Sequence, residues 1–345
     1  MLLLALALFP SSLPAPLPCP RPQASEASAP RPSPVATLRD EAERVLALVE
    51  SPGAKAFLAA TAALPEIGER VVLYDQKTRQ AVSAEAHAKL GEEEQARYQP
   101  SSFGGEFYYS TRYGSPLAYA RLLDVLGGLI GPNTDVLSGK RVLDFGYGGI
   151  GHLRLLASLG CDAVGVDVDP LLDVYYGPED RGTIPPATEG GRPGRLRLVC
   201  GSWPGDARVH AEVGGEYDLI LSKNVLKKGY VRPAQEVDPR MLVDLGVPPE
   251  RFLEEVAAAL RPGGVFALYN LCPAPRADRY VPWAYGESPF TREEFEAAGF
   301  ELLAFDVDDR DQAKELGYAL RWDQQGQDVE EDLFAWYTVA RRRKS

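Results

Sequence analysis

The chain has 345 residues, 45% of them apolar, so it is long enough to bury a full hydrophobic core. Its 37 basic and 49 acidic residues give a formal charge of −12, which argues against a partner that exposes a phosphate backbone, such as a nucleic acid. The four cysteines form no C-x-x-C pair and there are three histidines, so we predict neither a metal site nor a disulfide framework.

Residues 1–36 are predicted to be an apolar leader followed by a disordered segment rich in Pro, Ala and Ser. Residues 1–29 are similar to a secretory signal, although no basic residue precedes the apolar run. A mis-called start codon explains the segment equally well. The run is too short for a transmembrane span, which needs about 20 apolar residues. A cytoplasmic protein and an exported one both stay open at this point.

Residues 37–135 are predicted to form a helical N-terminal cap. Ser, Thr and Pro in N-cap or first-turn positions precede amphipathic runs. The predicted helices run from Thr37 to Val49, from Ser51 to Leu64, from Ser83 to Tyr98 and from Ser115 to Leu129. A loop rich in glycine and aromatic residues, Phe103 to Gly114, lies between the last two.

Residues 136–345 alternate between short apolar runs and helical patterns, which predicts a parallel sheet with crossover helices. The candidate strands are Arg141–Phe145, Ala163–Asp167, Leu196–Cys200, Tyr217–Ser222, Val265–Asn270, Glu301–Val307 and Phe334–Ala340. This part of the chain is the predicted catalytic and ligand-binding domain.

A glycine-rich turn follows the first of these strands. Asp144 ends the apolar run, and Gly146, Gly148, Gly149 and Gly151 lead into a helical pattern. Such glycines let a ligand lie against bare backbone at the positive end of a helix dipole. Three of them fit the G-x-G-x-x-G pattern of a nicotinamide-dependent oxidoreductase. The carboxylate of Asp144 would repel a pyrophosphate and attract an ammonium group, which favours S-adenosylmethionine as the ligand.

At this motif the chain resembles the class I S-adenosylmethionine-dependent methyltransferases, whose first motif is an acid followed by G-x-G-x-G. Asp144, Gly146 and Gly148 match it, and Ile150 stands at the third glycine. The resemblance covers roughly residues 105–342 and implies a seven-stranded, mostly parallel Rossmann-like sheet with helices on both faces and an antiparallel last strand. Because the methyl donor is made in the cytosol, it also favours a cytoplasmic location.

The resemblance assigns the acid that ends the second strand to the ribose of the donor. That position is Asp167, 23 residues after Asp144, with Val168 beside it. A carboxylate there can accept both ribose hydroxyls. Asp169 is instead expected to cap the turn before Pro170.

Further donor contacts follow from the resemblance at the ends of the next two strands. Ser202 stands where the family often has an acid for the adenine amino group, and Trp203 either stacks on the adenine or packs as a core residue. Ser222 and Asn224 are assigned to the amino-acid end of the donor.

Two further groups complete the predicted site. In the loop before the core, Arg112 is a candidate for the donor carboxylate and Tyr113 for a cation–π contact with the sulfonium. Asn224, Lys228 and Tyr230 are the candidate catalytic residues, and a solvated helix face is the alternative for Lys227 and Lys228.

The predicted function is therefore in-line methyl transfer from S-adenosylmethionine to a small-molecule acceptor, with catalysis by proximity and orientation. A methyltransferase-like fold that binds without turnover is one alternative. An NAD-dependent oxidoreductase is the other, and it is opposed by Asp144.

Overall fold

The computed structural model describes residues 33–110, 114–131 and 137–344. The predictions for the leader, for Arg112 and for Tyr113 lie outside these ranges. Within them, no helix has the length and apolar character needed to cross a lipid bilayer. The same ranges contain no group of three or more His, Cys, Asp or Glu side chains placed to hold a metal ion.

Two helices open the described chain, and a Ser-Pro pair starts each of them. α1 spans Pro34–Leu46 and α2 spans Pro52–Ala59. The serine before each proline accepts a hydrogen bond from the backbone N–H three residues later, at 3.0 and 3.2 Å. The predicted N-cap at Thr37 is wrong, because the Ser-Pro pair starts the helix earlier and places Thr37 inside α1.

A three-stranded antiparallel sheet follows, so the segment predicted as a helical cap is in fact mixed. Its strands are β1 (Arg70–Asp75), β2 (Gln80–Val82) and β3 (Gln99–Phe103), in the order β2-β1-β3. The Val and Tyr residues of β1 suit a half-buried pleated surface, which explains why a helical reading of this segment fails.

Two four-residue helices replace the single helix predicted from Ser83 to Tyr98. They are α3 (Ala84–His87) and α4 (Glu92–Gln95). Neither contains a buried residue. A longer helix would have no apolar face to pack, and packing supplies most of the stability of helices in proteins.

Two more helices bring the N-terminal segment to the core. α5 spans Gly105–Tyr109 and places its two tyrosines in fully buried positions. α6 spans Tyr119–Ile130, packs against α2 and matches the helix predicted to end at Leu129.

An eight-stranded sheet forms the core of the molecule. Its strands are β4 (Arg141–Phe145), β5 (Asp162–Asp167), β6 (Gly182–Ile184), β7 (Gly194–Cys200), β8 (Tyr217–Lys223), β9 (Leu260–Cys272), β10 (Phe300–Asp308) and β11 (Phe334–Arg342). Its helices are α7 (Gly151–Ser158), α8 (Pro170–Tyr175), α9 (Ala207–Val213), α10 (Lys228–Val231), α11 (Pro249–Ala259), α12 (Arg292–Ala297) and α13 (Arg310–Ala319).

The strand order is β10-β11-β9-β8-β4-β5-β7-β6. Six strands point in one direction, and β6 and β11 run antiparallel to their neighbours. The predicted fold class, a mostly parallel Rossmann-like α/β sheet with an antiparallel last strand, is confirmed. Register shifts interrupt the pairing of β10 with β11 after Leu302 and after Ala304.

All seven predicted strands are present, and the sheet has one more. The largest difference at a strand end is in β9, which begins at Leu260 and not at the predicted Val265. The additional strand β6 pairs with β7 over three residues. Three residues carry too little alternation to be recognised as a strand from the sequence.

Alternate residues of the central strands face two hydrophobic cores. In β4, Val142 lies in one core and Leu143 in the other, and in β5 the same holds for Ala163 and Val164. Burial on both faces is the usual environment of parallel sheets. The buried residues of α1, α2 and α6 belong to the core that contains Val142, so the N-terminal helices cover that face.

We expect Gly151→Ala to lower the free energy of unfolding by about 1–3 kcal/mol, the usual cost of overpacking a tight site. α7 begins at Gly151, where a Cβ would collide with the backbone carbonyl of Tyr109 at the end of α5. Urea denaturation measures the change. Gly128→Ala is the matched control, because a Cβ there meets nothing within 4 Å, and it should gain about 0.5–1 kcal/mol. Equal stability changes in the two variants would show that α5 moves aside freely.

Candidate ligand site at the central strand ends

The strand order reverses between β4 and β8. These two strands are neighbours in the sheet, and the chain leaves β4 towards β5 on one side while β8 leads to β9 on the other. In open α/β sheets, ligands bind beyond the carboxyl ends of the strands at such a switch point. The predicted site residues of the glycine turn and of the segment after β8 lie at this place.

The glycine turn after β4 has a backbone that only glycine adopts easily. Gly146 has a φ of 75° and Gly148 a φ of 60°. The N–H of Gly146 donates to the carbonyl of Val166 at 2.8 Å, and the N–H of Gly148 donates to Oδ2 of Asp167 at 2.9 Å. The end of β5 therefore fixes the turn that follows β4. Gly149 completes the turn, and Gly151 starts α7.

Asp167 joins two loops at the crevice. Its Oδ1 accepts a hydrogen bond from the N–H of Asp169 at 3.0 Å, while its Oδ2 holds Gly148. Burial raises the pKa of its carboxyl group above the usual range. Val168 beside it is 65% exposed. The side chain of Asp169 accepts from the N–H of Leu171 and caps α8, as predicted for this residue.

Asp144 is the centre of a buried polar cluster. Its Oδ2 accepts hydrogen bonds from the hydroxyl of Tyr119 at 2.8 Å and from Nε2 of His152 at 2.7 Å. The rings of Tyr119 and His152 are stacked, with centroids 3.8 Å apart. Nζ of Lys223 lies 5.3 Å from the centroid of the Tyr119 ring. We call Asp144, Tyr119, His152 and Lys223 the Asp144 cluster.

The Asp144 cluster is electrostatically unusual. Asp144 and His152 are fully buried, and Lys223 is 4% exposed. Desolvation lowers the pKa of Lys223 to about 8, against an opposing attraction from Asp144. Desolvation and the charge of Asp144 both raise the pKa of Tyr119 well above its usual value. Oδ1 of Asp144 and Nδ1 of His152 have no hydrogen-bond partner among the described residues.

The ends of β8 and β9 are tied together by side chains. Asn224 has a φ of 65°, and its Oδ1 accepts from the N–H of Leu271 at 2.7 Å. The buried Asn270 accepts from the N–H of Asn224 and donates to the carbonyls of Leu226 and Gly286. The side-chain oxygen of Asn224 thus holds the backbone of Leu271 and helps to join the ends of β8 and β9.

Lys227 is buried and does not lie on a solvated helix face, which was the alternative interpretation of this residue from the sequence. It is 4% exposed, and its Nζ donates to the carbonyl of Leu271 at 2.6 Å and to that of Trp283 at 3.3 Å. Desolvation lowers the pKa of Lys227 to about 8. The interpretation was wrong because the loop that holds Trp283 packs over this segment.

Lys228 and Tyr230, the other two candidate catalytic residues, lie further out. Lys228 is exposed at the start of α10, as a solvated helix face would be, and Tyr230 is half-buried. Nζ of Lys227 lies 5.5 Å from the centroid of the Tyr230 ring. Of the three candidates, only Asn224 directly joins the two strand ends.

The two residues predicted to contact the adenine, Ser202 and Trp203, differ in burial. Trp203 is 1% exposed and packs against Phe145 and Phe252, with ring centroids 6.1 and 5.7 Å apart. Trp203 thus packs as a core residue, which is the second of the two alternatives given for it, and its contact with the adenine stays a prediction. Ser202 is half-buried. Ser222 is buried and donates from Oγ to the carbonyl of Phe145 at 3.1 Å, so it links β8 to β4.

Three residues of the Asp144 cluster were not recognised as site residues from the sequence. Tyr119 starts α6, His152 lies in the first turn of α7 and Lys223 ends β8. The only signal was Lys223, two residues after the apolar run Leu219–Leu221, where a charged side chain is costly to bury.

Comparisons with known proteins add the following findings. No family model matches the chain, and no curated protein does. Solved structures that it is similar to include a putative sarcosine dimethylglycine methyltransferase from Galdieria sulphuraria, with 14% identity over 69% of this chain and 95% of that one at a TM-score of 0.40. Another is the (4+2)-cyclase SpnF, with 17% identity over 69% of this chain and 86% of that one at a TM-score of 0.39.

A third is an S-adenosylmethionine-dependent methyltransferase from Mesorhizobium loti, with 15% identity over 65% of this chain and 98% of that one at a TM-score of 0.36. Likenesses of this size say nothing about a substrate. Solved S-adenosylmethionine-dependent methyltransferases are thus among the structures that this chain is similar to.

Proposed function

We propose that the protein transfers the methyl group of S-adenosylmethionine to a small-molecule acceptor. The observation that carries the proposal is the arrangement at the switch point, where a glycine turn lies between two carboxylates, Asp144 on β4 and Asp167 on β5. One carboxylate suits an ammonium group and the other a pair of ribose hydroxyls.

The hydrogen-bond acceptors at the switch point fit such a ligand. Oδ1 of Asp144 is a buried acceptor with no partner among the described residues. Each oxygen of Asp167 accepts one backbone N–H and keeps acceptor capacity, because a carboxylate oxygen has two lone pairs. The exposed Val168 offers an apolar contact beside the ribose position. The bound donor would supply an already activated methyl group, and these residues would bind it, orient it and exclude water.

The acceptor would lie against the segment after β8 and the loop after β9. These segments are joined where the N–H of Lys228 donates to the carbonyl of Glu287 at 2.8 Å and that of Gly229 to the carbonyl of Tyr285 at 3.2 Å. Lys228 and Tyr230 face this region of the chain as candidates for acceptor contact. The net charge of −12 favours a small molecule over a nucleic acid.

A second candidate is a protein that binds the donor or another ligand without turnover. The observation in its favour is the complete burial of Asp144, whose Oδ2 already accepts from Tyr119 and His152. The acid is therefore satisfied in part before any ligand arrives. A pure protein that consumes S-adenosylmethionine in the presence of a defined acceptor would eliminate this candidate.

Isothermal titration of the full chain with S-adenosylhomocysteine tests the cofactor, with NADH in parallel. Micromolar binding of S-adenosylhomocysteine alone supports the proposal and justifies an acceptor screen. Binding of NADH alone would favour the oxidoreductase alternative. Binding of neither would refute the assignment of the crevice.

Asp167→Ala should weaken the binding of S-adenosylhomocysteine by about 1–3 kcal/mol, because the ribose hydroxyls lose their acceptors. Titration calorimetry measures the affinity. Asp173→Ala, which removes an exposed carboxylate of α8 paired with Arg181, is the control and should bind like the wild type. Wild-type affinity in Asp167→Ala would show that the ribose is held elsewhere.

A further inference from the structure

Lys223 lies at the switch point itself. It is the last residue of β8, and β8 is the direct neighbour of β4, which carries Asp144. The side chain is buried, and its Nζ lies over the Tyr119 ring, 5.3 Å from the ring centroid. An ammonium group in such a place depends on an opposite charge, and Asp144 supplies it.

The charged and titratable groups around Lys223 come from four secondary-structure elements and from the segment after β8. Asp144 faces it from β4, Tyr119 from α6 and His152 from α7 through their bonds to Asp144. The buried ammonium of Lys227, in the segment after β8, repels it. The charge of Asp167 on β5 reaches the cluster at Tyr119.

Charge balance therefore limits what the crevice accepts. An ammonium group on Lys223 and a carboxylate on Asp144 balance each other's charge. A ligand ammonium at Asp144 would place two buried cations beside one carboxylate. Burying an uncompensated charge is costly, and a lysine avoids that cost by losing its proton.

We propose that Lys223 is the resident counter-ion of Asp144, and that a ligand with an α-ammonium group binds at Asp144 as Lys223 releases its proton to solvent. Lys223 then remains as a neutral amine, and no covalent bond other than its N–H changes. The inference rests on the proposed function, because it takes the amino-acid end of the donor to bind at Asp144.

The expected effect is a pH-dependent affinity. With a pKa of about 8 in the free protein, Lys223 is mostly charged at pH 6.5 and half charged at pH 8.0. If only the neutral form binds, the Kd falls about fifteenfold between these pH values. Below pH 6.5 the Kd rises about tenfold for each further unit by which the pH decreases, because the neutral fraction of Lys223 then decreases about tenfold per unit.

Titration calorimetry on the full chain tests the inference with two ligands. S-Adenosylhomocysteine carries the ammonium group, and 5′-methylthioadenosine has the same nucleoside without it. The first should bind about fifteenfold tighter at pH 8.0 than at pH 6.5 and release close to one proton at pH 6.5, seen as different binding heats in phosphate and Tris. The second should show neither effect.

Lys223→Met should remove both the pH dependence and the proton release, and Lys55→Met, an exposed lysine of α2, should retain them. S-Adenosylhomocysteine binding that is independent of pH in the wild type would overturn the inference and leave the cofactor proposal standing. A pH dependence that survives in Lys223→Met would assign the proton to another group, such as His152, and also overturn it. If neither ligand binds the wild type, the proposed function fails and the inference fails with it.

Discussion

Asp144→Leu is expected to lower the free energy of unfolding at pH 7 by about 3–5 kcal/mol, as the removal of one partner of a buried charge pair does. The substitution leaves the hydroxyl of Tyr119 and Nε2 of His152 without their acceptor. It also leaves the buried ammonium of Lys223 without an opposite charge. All three groups stay in the core, where unmatched polar groups are costly.

The loss should depend on pH in a definite direction. Without Asp144 the pKa of Lys223 falls below its wild-type value of about 8, because the attraction that opposed desolvation is gone. A lysine with a lowered pKa binds fewer protons in the folded state than in the unfolded state, so stability rises with pH. The stability deficit of the variant relative to the wild type should therefore be larger at pH 6 than at pH 9.

Urea denaturation of the full chain at pH 6, 7 and 9 measures this prediction. Asp144→Asn, which keeps one acceptor oxygen, should lose less than the leucine variant. Asp173→Leu at an exposed position of α8 should change stability by less than about 0.5 kcal/mol. A loss below about 1 kcal/mol in Asp144→Leu would contradict the buried cluster.

Lys223→Met is expected to act in the opposite direction and to raise the free energy of unfolding at pH 7 by about 1–3 kcal/mol, because the pKa of Lys223, about 8 in the folded protein, lies below that of an ordinary lysine. The two members of the pair are not equivalent. Asp144 accepts two hydrogen bonds that remain in the variant, whereas Nζ of Lys223 contacts the Tyr119 ring and its charge is disfavoured by burial. Methionine fills a similar volume without a charge.

The sign of the pH dependence follows from the lowered pKa of Lys223. The destabilisation by its ammonium is fully present below the folded pKa of about 8. It disappears as the pH rises towards the usual pKa of a lysine, about 10.4. The advantage of Lys223→Met should therefore shrink between pH 8 and pH 10.

Thermal and urea denaturation across this pH range check the second prediction. Lys55→Met should stay within about 0.5 kcal/mol of the wild type at every pH. If Lys223→Met is less stable than the wild type at pH 7, the attraction to Asp144 outweighs desolvation. The ammonium group of Lys223 would then stabilise the folded protein.

The central strands and the glycine turn could be predicted because their signals are local. The apolar run that ends at Asp144 is β4, residue for residue, and the glycines at 146 and 148 have the positive φ that a tight turn needs. Burial on both sheet faces makes such strands continuous apolar runs, which a sequence displays directly. The short β6 lacks a run of that kind.

The Asp144 cluster could not be predicted, because its members come from four elements that only the topology brings together. Tyr119 precedes Asp144 by 25 residues and Lys223 follows it by 79. The direction of a side chain after a strand is equally invisible in the sequence. Trp203 could stack on a ligand or enter the core, and its contacts with Phe145 and Phe252 place it in the core.

The two outer strands of the large sheet have a consequence for association between chains. An exposed edge strand offers unpaired N–H and C=O groups to which another chain can add. At one edge, β6 has three residues and is followed by Pro185 and Pro186, which carry no N–H to donate. At the other, the register shifts of β10 break its regular geometry, and Asp306 and Asp308 place negative charge along it. Both edges of the large sheet are therefore poor templates for strand addition by a second chain.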